Sequence, residues 1–274
     1  MYVKKFLPFV FLIYSQLLAQ KTIAIKGSET LHPVVQSLSS IMPADTALVI
    51  IGGGSNTGMK ALLKDSVDVA MVSRIIRTQE KLDAARKGKV LLSTAIAKDP
   101  VAIIVNTKNP VKQLSLDQIR GIFSGEINNW SALGGNNVPI QVWIRDEKSG
   151  TQTFFKEYVM HNEPFAVTSK KVTAHEAATD EIEKDINAVT FVGITFTHTP
   201  GTNVKILAIG HSTEKYVIPV ENGILNKDYP IIRNLYLSYF EKDLQKVKPL
   251  LNKAFSSAGQ TIIKNQGLFP VQYK

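Results

Sequence analysis

Short apolar segments alternate with amphipathic helical segments along almost the whole chain, and this alternation limits the possible folds more than any other feature. Strand-length segments rich in apolar residues, chiefly Val, Ile and Leu, include residues 47–51, 67–72, 90–95, 101–105 and 190–194. Several are apolar at nearly every position, as expected of strands covered on both faces. Helical periodicity fills the intervals, as in residues 31–41 and 254–265. Residues 115–118 form a capping box that opens a helix ended by Gly125, and residues 175–186 are charged on most sides, which predicts a solvent-facing helix. The pattern predicts an α/β protein whose mixed sheets are flanked by helices.

The first twenty residues have the pattern of a secretion signal. Lys4 and Lys5 precede an apolar run over residues 6–18, and Ala19 is a small residue suited to cleavage. The run is shorter than the roughly 20 apolar residues that a membrane-spanning helix needs. Since the chain has no cysteine, we expect neither a lipid anchor nor a disulfide. The expectation is a periplasmic protein that does not itself span the membrane.

The charge balance is compatible with an anionic partner but does not by itself indicate one. The chain has 32 Lys and Arg residues, two of them in the predicted signal, and 23 Asp and Glu residues, so the mature chain has a net charge of about +7. A positive field steers anions toward the protein. The lysines are spread along the chain and no basic block is interleaved with aromatic residues, so nucleic acid is not an expected partner.

Nothing in the sequence predicts catalysis or a cofactor. No serine lies in a Gly-x-Ser-x-Gly motif. The histidines do not have metal-ligand spacing, and the absence of cysteine excludes thiolate ligands. We expect most histidines, including His198, to lie at the surface or to cap helices, with His32 nearest to any anion pocket. The prediction is a protein without enzymatic activity, metal or cofactor.

Three turns that contain glycine and a hydroxyl residue lead directly into helical segments. They are residues 27–30, 52–58 and 149–151. The start of a helix presents unpaired N–H groups and the positive end of the helix dipole, which together favour an anion. The middle turn is not a P-loop, because Met59 stands where that motif requires lysine. Each turn could be purely structural, but three together indicate a pocket for a small oxyanion.

Two arginines and two carboxylates complete the predicted pocket. Arg145 follows a predicted strand at its carboxyl end, the usual ligand side of an α/β sheet, and its planar fork can bind two oxygens of one anion. Arg74, next to Ser73, could add a second fork. Glu29 and Asp146 would repel sulfate but could accept the proton that hydrogen phosphate carries. The alternative for each charged group is a solvent-facing role.

These stretches resemble the phosphate-binding periplasmic component of Pst-type ABC uptake systems, which has the type 2 periplasmic binding protein fold. Arg145 with the following Ser149, Gly150 and Thr151 is the most specific part of the resemblance. It covers almost the whole mature chain, in the family's order, through residues 27–31, 52–58, 67–74, 99–110, 114–130, 145–155, 191–194 and 259–271. The resemblance implies two α/β lobes, joined by two hinge strands, that close on one phosphate.

The resemblance also implies which residues contact the anion. The implied contacts from the three turns are Thr30, Leu31, Ser55, Arg145, Ser149, Gly150 and Thr151. Ser28, Ser73 and Arg74 join this set because they lie within or beside the same turns. Some family members have an acidic residue where Arg74 stands, and it accepts the phosphate proton. In this chain Glu29 or Asp146 is the candidate for that role.

The predicted organisation is a signal peptide over residues 1–20, a first lobe of residues 21–99 plus 238–274, and a second lobe of residues 100–237. Strands after Pro100 and Pro230 would form the hinge, although both could be ordinary core strands. The predicted function is that of a monomeric binding protein that captures inorganic phosphate and delivers it to the membrane permease of an ABC transporter. The alternatives are a binder of sulfate, molybdate or tungstate, and a secreted phosphohydrolase or phosphate sensor. A hydrolase would need a general base beside Ser55 or Thr151.

Overall fold

The computed structural model describes residues 21–197, 203–212, 215–220, 224 and 228–271. The predicted signal peptide and His198 lie outside these residues. Within them, no helix combines the length and the apolar character that crossing a bilayer requires.

Strands and helices alternate along the described residues, which confirms the predicted α/β class. The strands are β1 (Lys21–Gly27), β2 (Thr46–Ile51), β3 (Val69–Val72), β4 (Leu91–Asn106), β5 (Gln113–Ser115), β6 (Gln141–Arg145), β7 (Lys170–Val172), β8 (Ala188–Gly193), β9 (Val204–Ile206), β10 (Ala208–Gly210), β11 (Ile232–Phe240) and β12 (Phe269–Pro270). The α-helices are α1 (His32–Ser39), α2 (Ser55–Leu63), α3 (Thr78–Ala85), α4 (Leu116–Ser124), α5 (Gly150–Tyr158), α6 (His175–Lys184), α7 (Leu244–Phe255) and α8 (Ser257–Asn265).

One curled sheet runs through both lobes in the order β2-β1-β3-β11-β4-β8-β6-β7, with β9 and β12 also pairing with β4. Its continuity depends on the 16 residues of β4. The first part of β4 pairs with β11 and the second part with β8. The sequence analysis divided this strand into residues 90–95 and 101–105. The strand continues through Pro100 because proline, and the residue before it, can adopt an extended backbone.

The antiparallel pair β4 and β11 connects the two lobes. Of the two predicted hinge strands, the one after Pro230 lies in β11, but β11 pairs with the part of β4 that ends at Pro100, whereas residues 101–105 pair with β8. Asp99 of β4 lies directly opposite Arg233 of β11. On one side a hydrophobic core contains Ile25, Val35 and Leu250, and it extends to α6 and one face of β8. On the other side a second core is built around β4, α4 and α5. The exact division of the chain into lobes stays a prediction.

Helix-terminal signals in the sequence have mixed outcomes. The capping box that opens α4 is confirmed: Ser115 Oγ accepts from Gln118 N at 3.2 Å and Gln118 Oε1 accepts from Ser115 N at 2.9 Å. Gly125 ends this helix with a left-handed φ of 91°. The single helix expected over residues 254–265 is wrong. Two helices meet at Ser256, whose hydroxyl caps α8 by accepting from Gly259 N, and the first helix accommodates Pro249.

Candidate functional site

The second and third predicted turns meet across the cleft between the lobes. Ser55, the first residue of α2, has its Oγ 2.9 Å from Ser73 Oγ and accepts from Ser73 N at 3.0 Å. Gly150, the first residue of α5, packs against this pair. A Cβ added to Gly150 would lie 2.1 Å from Ser55 Oγ and 2.5 Å from Ser73 Oγ. The N-termini of α2 and α5 are therefore so close that only glycine fits between them.

Arg233 connects the first turn to the pair formed by Ser55 and Ser73. This arginine donates from Nη2 to Thr30 Oγ1 at 3.3 Å and from Nη1 to the carbonyl of Ser73 at 3.1 Å. Leu31 is the N-cap residue of α1 and provides no side-chain cap. At this turn Ser28 N donates to the carbonyl of Met71 and His32 N to the carbonyl of Ser28. The three turns predicted from the sequence thus converge on one region of the cleft.

Arg145 lies at the end of β6 and is almost entirely buried, with 2% exposure. Its Nη2 donates to the carbonyl of Thr173 at 2.7 Å, whereas Nε and Nη1 have no partner among the described residues. Burial lowers the pKa of Arg145, and the charges of Asp146 and Glu29 oppose that shift. A buried guanidinium remains charged, and leaving its donors unpaired is costly. Two such donors in one cleft indicate the position of an anion.

A cavity of about 200 Å³ lies beside Arg145, with both predicted proton acceptors in its wall. Its lining consists of Glu29, Gly53, Gly54, Arg145, Asp146, Lys148, Ser149 and Thr173. Glu29 Oε1 accepts from Gly53 N, which holds the carboxylate against the second turn. Asp146 Oδ1 accepts from Lys148 N at 3.1 Å and so caps its own turn. Each carboxylate therefore has one oxygen, Glu29 Oε2 and Asp146 Oδ2, that receives no hydrogen bond from the described residues.

The predicted hydroxyl groups differ in how far they are already engaged. Ser28 Oγ is buried and has no partner among the described residues. Ser149 Oγ accepts from Gln152 N at 3.2 Å and caps α5, which leaves its own proton to donate. Thr151 lies one residue into α5 and is 1% exposed. All four hydroxyl residues of the first and third turns, Ser28, Thr30, Ser149 and Thr151, are thus buried.

Arg74 requires a correction, because its guanidinium points away from this cleft. It donates to both carboxylate oxygens of Glu80, at 3.0 and 2.6 Å, and to Asn56 Oδ1 at 2.8 Å. Glu80 lies in α3, which folds back over the end of β3. The guanidinium of Arg74, which we expected at the anion, is thus paired with Glu80 instead. The position of Arg74 next to Ser73 in the sequence does not reveal where its guanidinium points.

The buried pair of Asp99 and Arg233 was missed by the sequence analysis. Arg233 donates to Asp99 Oδ2 from Nη2 at 2.6 Å and from Nε at 2.9 Å, and the two residues are 0% and 4% exposed. Asp99 Oδ1 accepts from Ile194 N at 3.0 Å. Burial raises the pKa of Asp99, and Arg233 opposes the shift. An arginine within a strand rich in large apolar residues was the available signal, because such a charge must find a buried partner.

His175 is a buried histidine beside the cleft, and the expectation for His32, the first residue of α1, stays a prediction. The sequence analysis treated residues 175–186 as a solvent-facing helix, but His175 is only 2% exposed and stacks on Phe196 with ring centroids 4.1 Å apart. Its Nε2 lies 3.4 Å from Thr151 Oγ1. Burial, together with the positive charges of Arg145 and Arg233, holds the pKa of His175 well below 6.5. The expectation failed because the packed face of α6 is narrow and charged residues flank it.

This buried histidine predicts an acid-sensitive stability. In the unfolded chain His175 takes up a proton near its usual pKa of 6.5, whereas in the folded protein it stays neutral to lower pH. Stability should therefore fall as pH decreases below 6.5, by up to about 1.4 kcal/mol per pH unit from this residue. His175→Gln should remove this component in urea unfolding at pH 7, 6 and 5. The exposed His211, changed to Gln, is the matched control, and equal slopes for the two variants would contradict the assignment.

The lobes contact each other at several points beside the cavity. Asn56 donates from Nδ2 to the carbonyl of Glu147 at 2.6 Å and to Thr153 Oγ1 at 3.1 Å. Arg77 forms an ion pair with Glu157 at 3.2 Å. These contacts join α2 and the start of α3 to the segment that contains α5. The cleft therefore has the form of a closed binding site.

Comparisons with known proteins agree with this architecture. A model of the PBP superfamily domain matches residues 15–256. The phosphate-binding protein PstS from Staphylococcus haemolyticus is 26% identical over 226 residues, which cover 80% of this chain and 71% of that protein.

Two solved structures share the fold and were obtained from phosphate transport proteins. One is described as a phosphate ABC transporter substrate-binding protein with bound phosphate, from Clostridium perfringens. It has 28% sequence identity and a TM-score of 0.81, over 92% of this chain and 100% of that chain. The other is an ABC-type phosphate transport receptor from Vibrio cholerae, with 26% identity and a TM-score of 0.75, over 91% of this chain and 100% of that chain.

Proposed function

The chain belongs to the PBP superfamily, and on that basis we propose that it captures inorganic phosphate between its lobes and delivers it to the permease of an ABC transporter. The observation that supports this proposal most strongly is Arg145, a buried cation whose Nε and Nη1 have no protein partner. Relatives with the same fold are named as phosphate-binding and phosphate-transport proteins. We also propose that the protein is secreted to the periplasm and is a monomer there.

Phosphate would be held by charge-assisted hydrogen bonds from both lobes. We propose contacts from Ser28, Thr30, Leu31, Ser55, Ser73, Arg145, Ser149, Gly150 and Thr151. Each hydrogen bond to a charged group contributes roughly 1.5–3 kcal/mol. A micromolar Kd requires about 8 kcal/mol in total, so several such bonds are sufficient after the costs of desolvation and closure.

A panel of oxyanions tests this function directly. At a concentration of 100 times Kd, a ligand that binds only the folded state adds about 2.7 kcal/mol of stability, which is roughly 5–10 °C in melting temperature for a chain of this size. We expect this shift with phosphate, a similar one with arsenate, and little change with sulfate or molybdate at equal concentration. A larger shift with sulfate or molybdate would identify that anion, and not phosphate, as the ligand. No shift with any of the four anions would reject the proposal.

We propose Glu29 as the acceptor of the phosphate proton, since its Oε2 receives no hydrogen bond from the described residues and it lines the cavity with Arg145. Asp146 lines the same cavity with an equally unengaged Oδ2 and is the alternative acceptor. Phosphate carries that proton near neutral pH and sulfate does not. Glu29→Gln should lower the ratio of phosphate to sulfate affinity about tenfold or more, since it removes one charged hydrogen bond and one repulsion. Competition titration measures this ratio. Asp146→Asn is the matched control, and a larger effect there would assign the role to Asp146.

The phosphohydrolase alternative is not favoured by the comparisons. Ser55 Oγ is engaged by Ser73, and the relatives are named for binding and transport. His175 does lie near Thr151, so the alternative has a direct test. We expect no turnover of a generic phosphomonoester, and turnover that Thr151→Val abolishes would reverse this conclusion.

A further inference from the structure

His175 and Thr151 form a buried contact that the proposed contacts to phosphate leave unexplained. The two side chains are 2% and 1% exposed, with 3.4 Å between His175 Nε2 and Thr151 Oγ1. His175 Nδ1 is also buried and has no partner among the described residues. Among the described residues the imidazole therefore has one hydrogen-bond partner, Thr151, and the protonation of the ring decides whether that hydroxyl donates or accepts.

A neutral imidazole carries one N–H group, which gives two arrangements. If Nδ1 carries the proton, Thr151 must donate to Nε2, and a buried N–H group is left without an acceptor. If Nε2 carries the proton, it donates to Thr151 Oγ1, and only a bare nitrogen is left unpaired. Unpaired buried N–H groups are rare in proteins, and unsatisfied acceptors are less so. The second arrangement is favoured, and it leaves the Thr151 hydroxyl proton free.

On the opposite side of the cleft Arg233 and Thr30 form a similar contact, and there the direction of the hydrogen bond is certain. Arg233 Nη2 lies 3.3 Å from Thr30 Oγ1. Since a guanidinium can only donate, the hydroxyl of Thr30 must accept this bond and keeps its own proton for another partner. Each lobe therefore has a threonine hydroxyl in contact with a side-chain nitrogen donor. Thr30 contacts Arg233 and Thr151 contacts His175.

We propose that His175 is a positioning residue that holds the Thr151 hydroxyl as a hydrogen-bond donor toward the bound anion. This inference rests on the proposed function, because it concerns how the same site presents its donors. Without His175 the hydroxyl can rotate and offer a lone pair, which repels an anion oxygen. With it, Thr151 presents a proton before the anion arrives, and the cost of orienting it on binding is avoided.

A double-mutant cycle measured by titration calorimetry with inorganic phosphate tests the coupling. His175→Phe keeps an aromatic ring on Phe196 but removes the donor, and should weaken binding about tenfold, the loss expected for one hydrogen bond. In a Thr151→Val background the same change should alter affinity less than twofold. His175→Gln, which retains an N–H donor, should bind within about threefold of the native protein.

Two results would overturn the inference while leaving the proposed function intact. One is an equal loss from His175→Phe with and without the Thr151 hydroxyl, which would indicate a packing role. The other is unchanged affinity in the His175→Phe single variant. Failure of the native protein to bind phosphate would instead reject the proposed function and this inference with it.

The tautomer can be read without any destabilising variant. In ¹⁵N-histidine NMR spectra of the phosphate-bound protein, with the His175 signals assigned by their absence in His175→Gln, we expect the proton on Nε2. A proton on Nδ1 would contradict the inference even if His175→Phe failed to fold.

Discussion

Replacing Arg145 by alanine should weaken phosphate binding by roughly 2–5 kcal/mol, which corresponds to about 30-fold to several thousand-fold in Kd. The side chain is buried, its Nε and Nη1 are unpaired, and it faces the cavity that Glu29 also lines. In the variant, a bound phosphate would keep its charge in a buried site but lose the guanidinium. The loss exceeds that of an exposed ion pair because solvent does not screen it.

Titration calorimetry with phosphate measures this effect, and melting without phosphate reports on folding separately. Arg86→Ala is the matched control, since Arg86 is 71% exposed and pairs at the surface with Asp83. Its affinity for phosphate should equal that of the native protein. Arg145→Lys should fall between the two, because lysine keeps the charge but cannot form the planar fork. A loss below about 0.5 kcal/mol in Arg145→Ala would remove Arg145 from the site.

Removing the carboxylate of Asp99 should destabilise the protein by about 3–5 kcal/mol. Asp99→Ala leaves Arg233 as an uncompensated charge between β4 and β11, where it also contacts Ser73 and Thr30. We expect a lower urea midpoint and weaker phosphate binding, because the same arginine connects the hinge strands to two of the turns.

The control for this prediction is Asp117→Ala, which breaks the pair between Arg120 and an aspartate that is 84% exposed. Its stability should stay close to that of the native protein. Replacing both buried partners, with Asp99→Leu and Arg233→Met, should recover much of the stability, since well-packed apolar residues often replace a buried ion pair without loss. A loss below 1 kcal/mol in Asp99→Ala would show that this pair does not hold the strands together.

Most of the fold prediction came from local patterns in the sequence. The alternation of strands and helices, the capping box of α4 and the resemblance to phosphate-binding periplasmic proteins are confirmed. The turns that start α1, α2 and α5 were visible because hydroxyl and glycine residues immediately before an apolar periodic segment mark a helix start. The residues proposed to contact phosphate stay predictions until binding is measured.

The errors concern side chains whose partners are distant in sequence or on another element. Arg74 lies just after β3 and Arg145 ends β6. The guanidinium of Arg74 is paired with Glu80, whereas that of Arg145 keeps two donors without a partner among the described residues. His175 follows an exposed turn, and its burial depends on packing against Phe196.

The amino-acid sequence by itself determined the α/β class and the three turns suited to an anion, because these properties depend on residues a few positions apart. Only the tertiary structure decided which arginine faces the cleft, which histidine is buried beside it, and that Asp99 and Arg233 pair between the hinge strands. The direction and charge of a buried side chain depend on groups brought to it by the folded chain, and the cost of leaving such groups unpaired selects one arrangement.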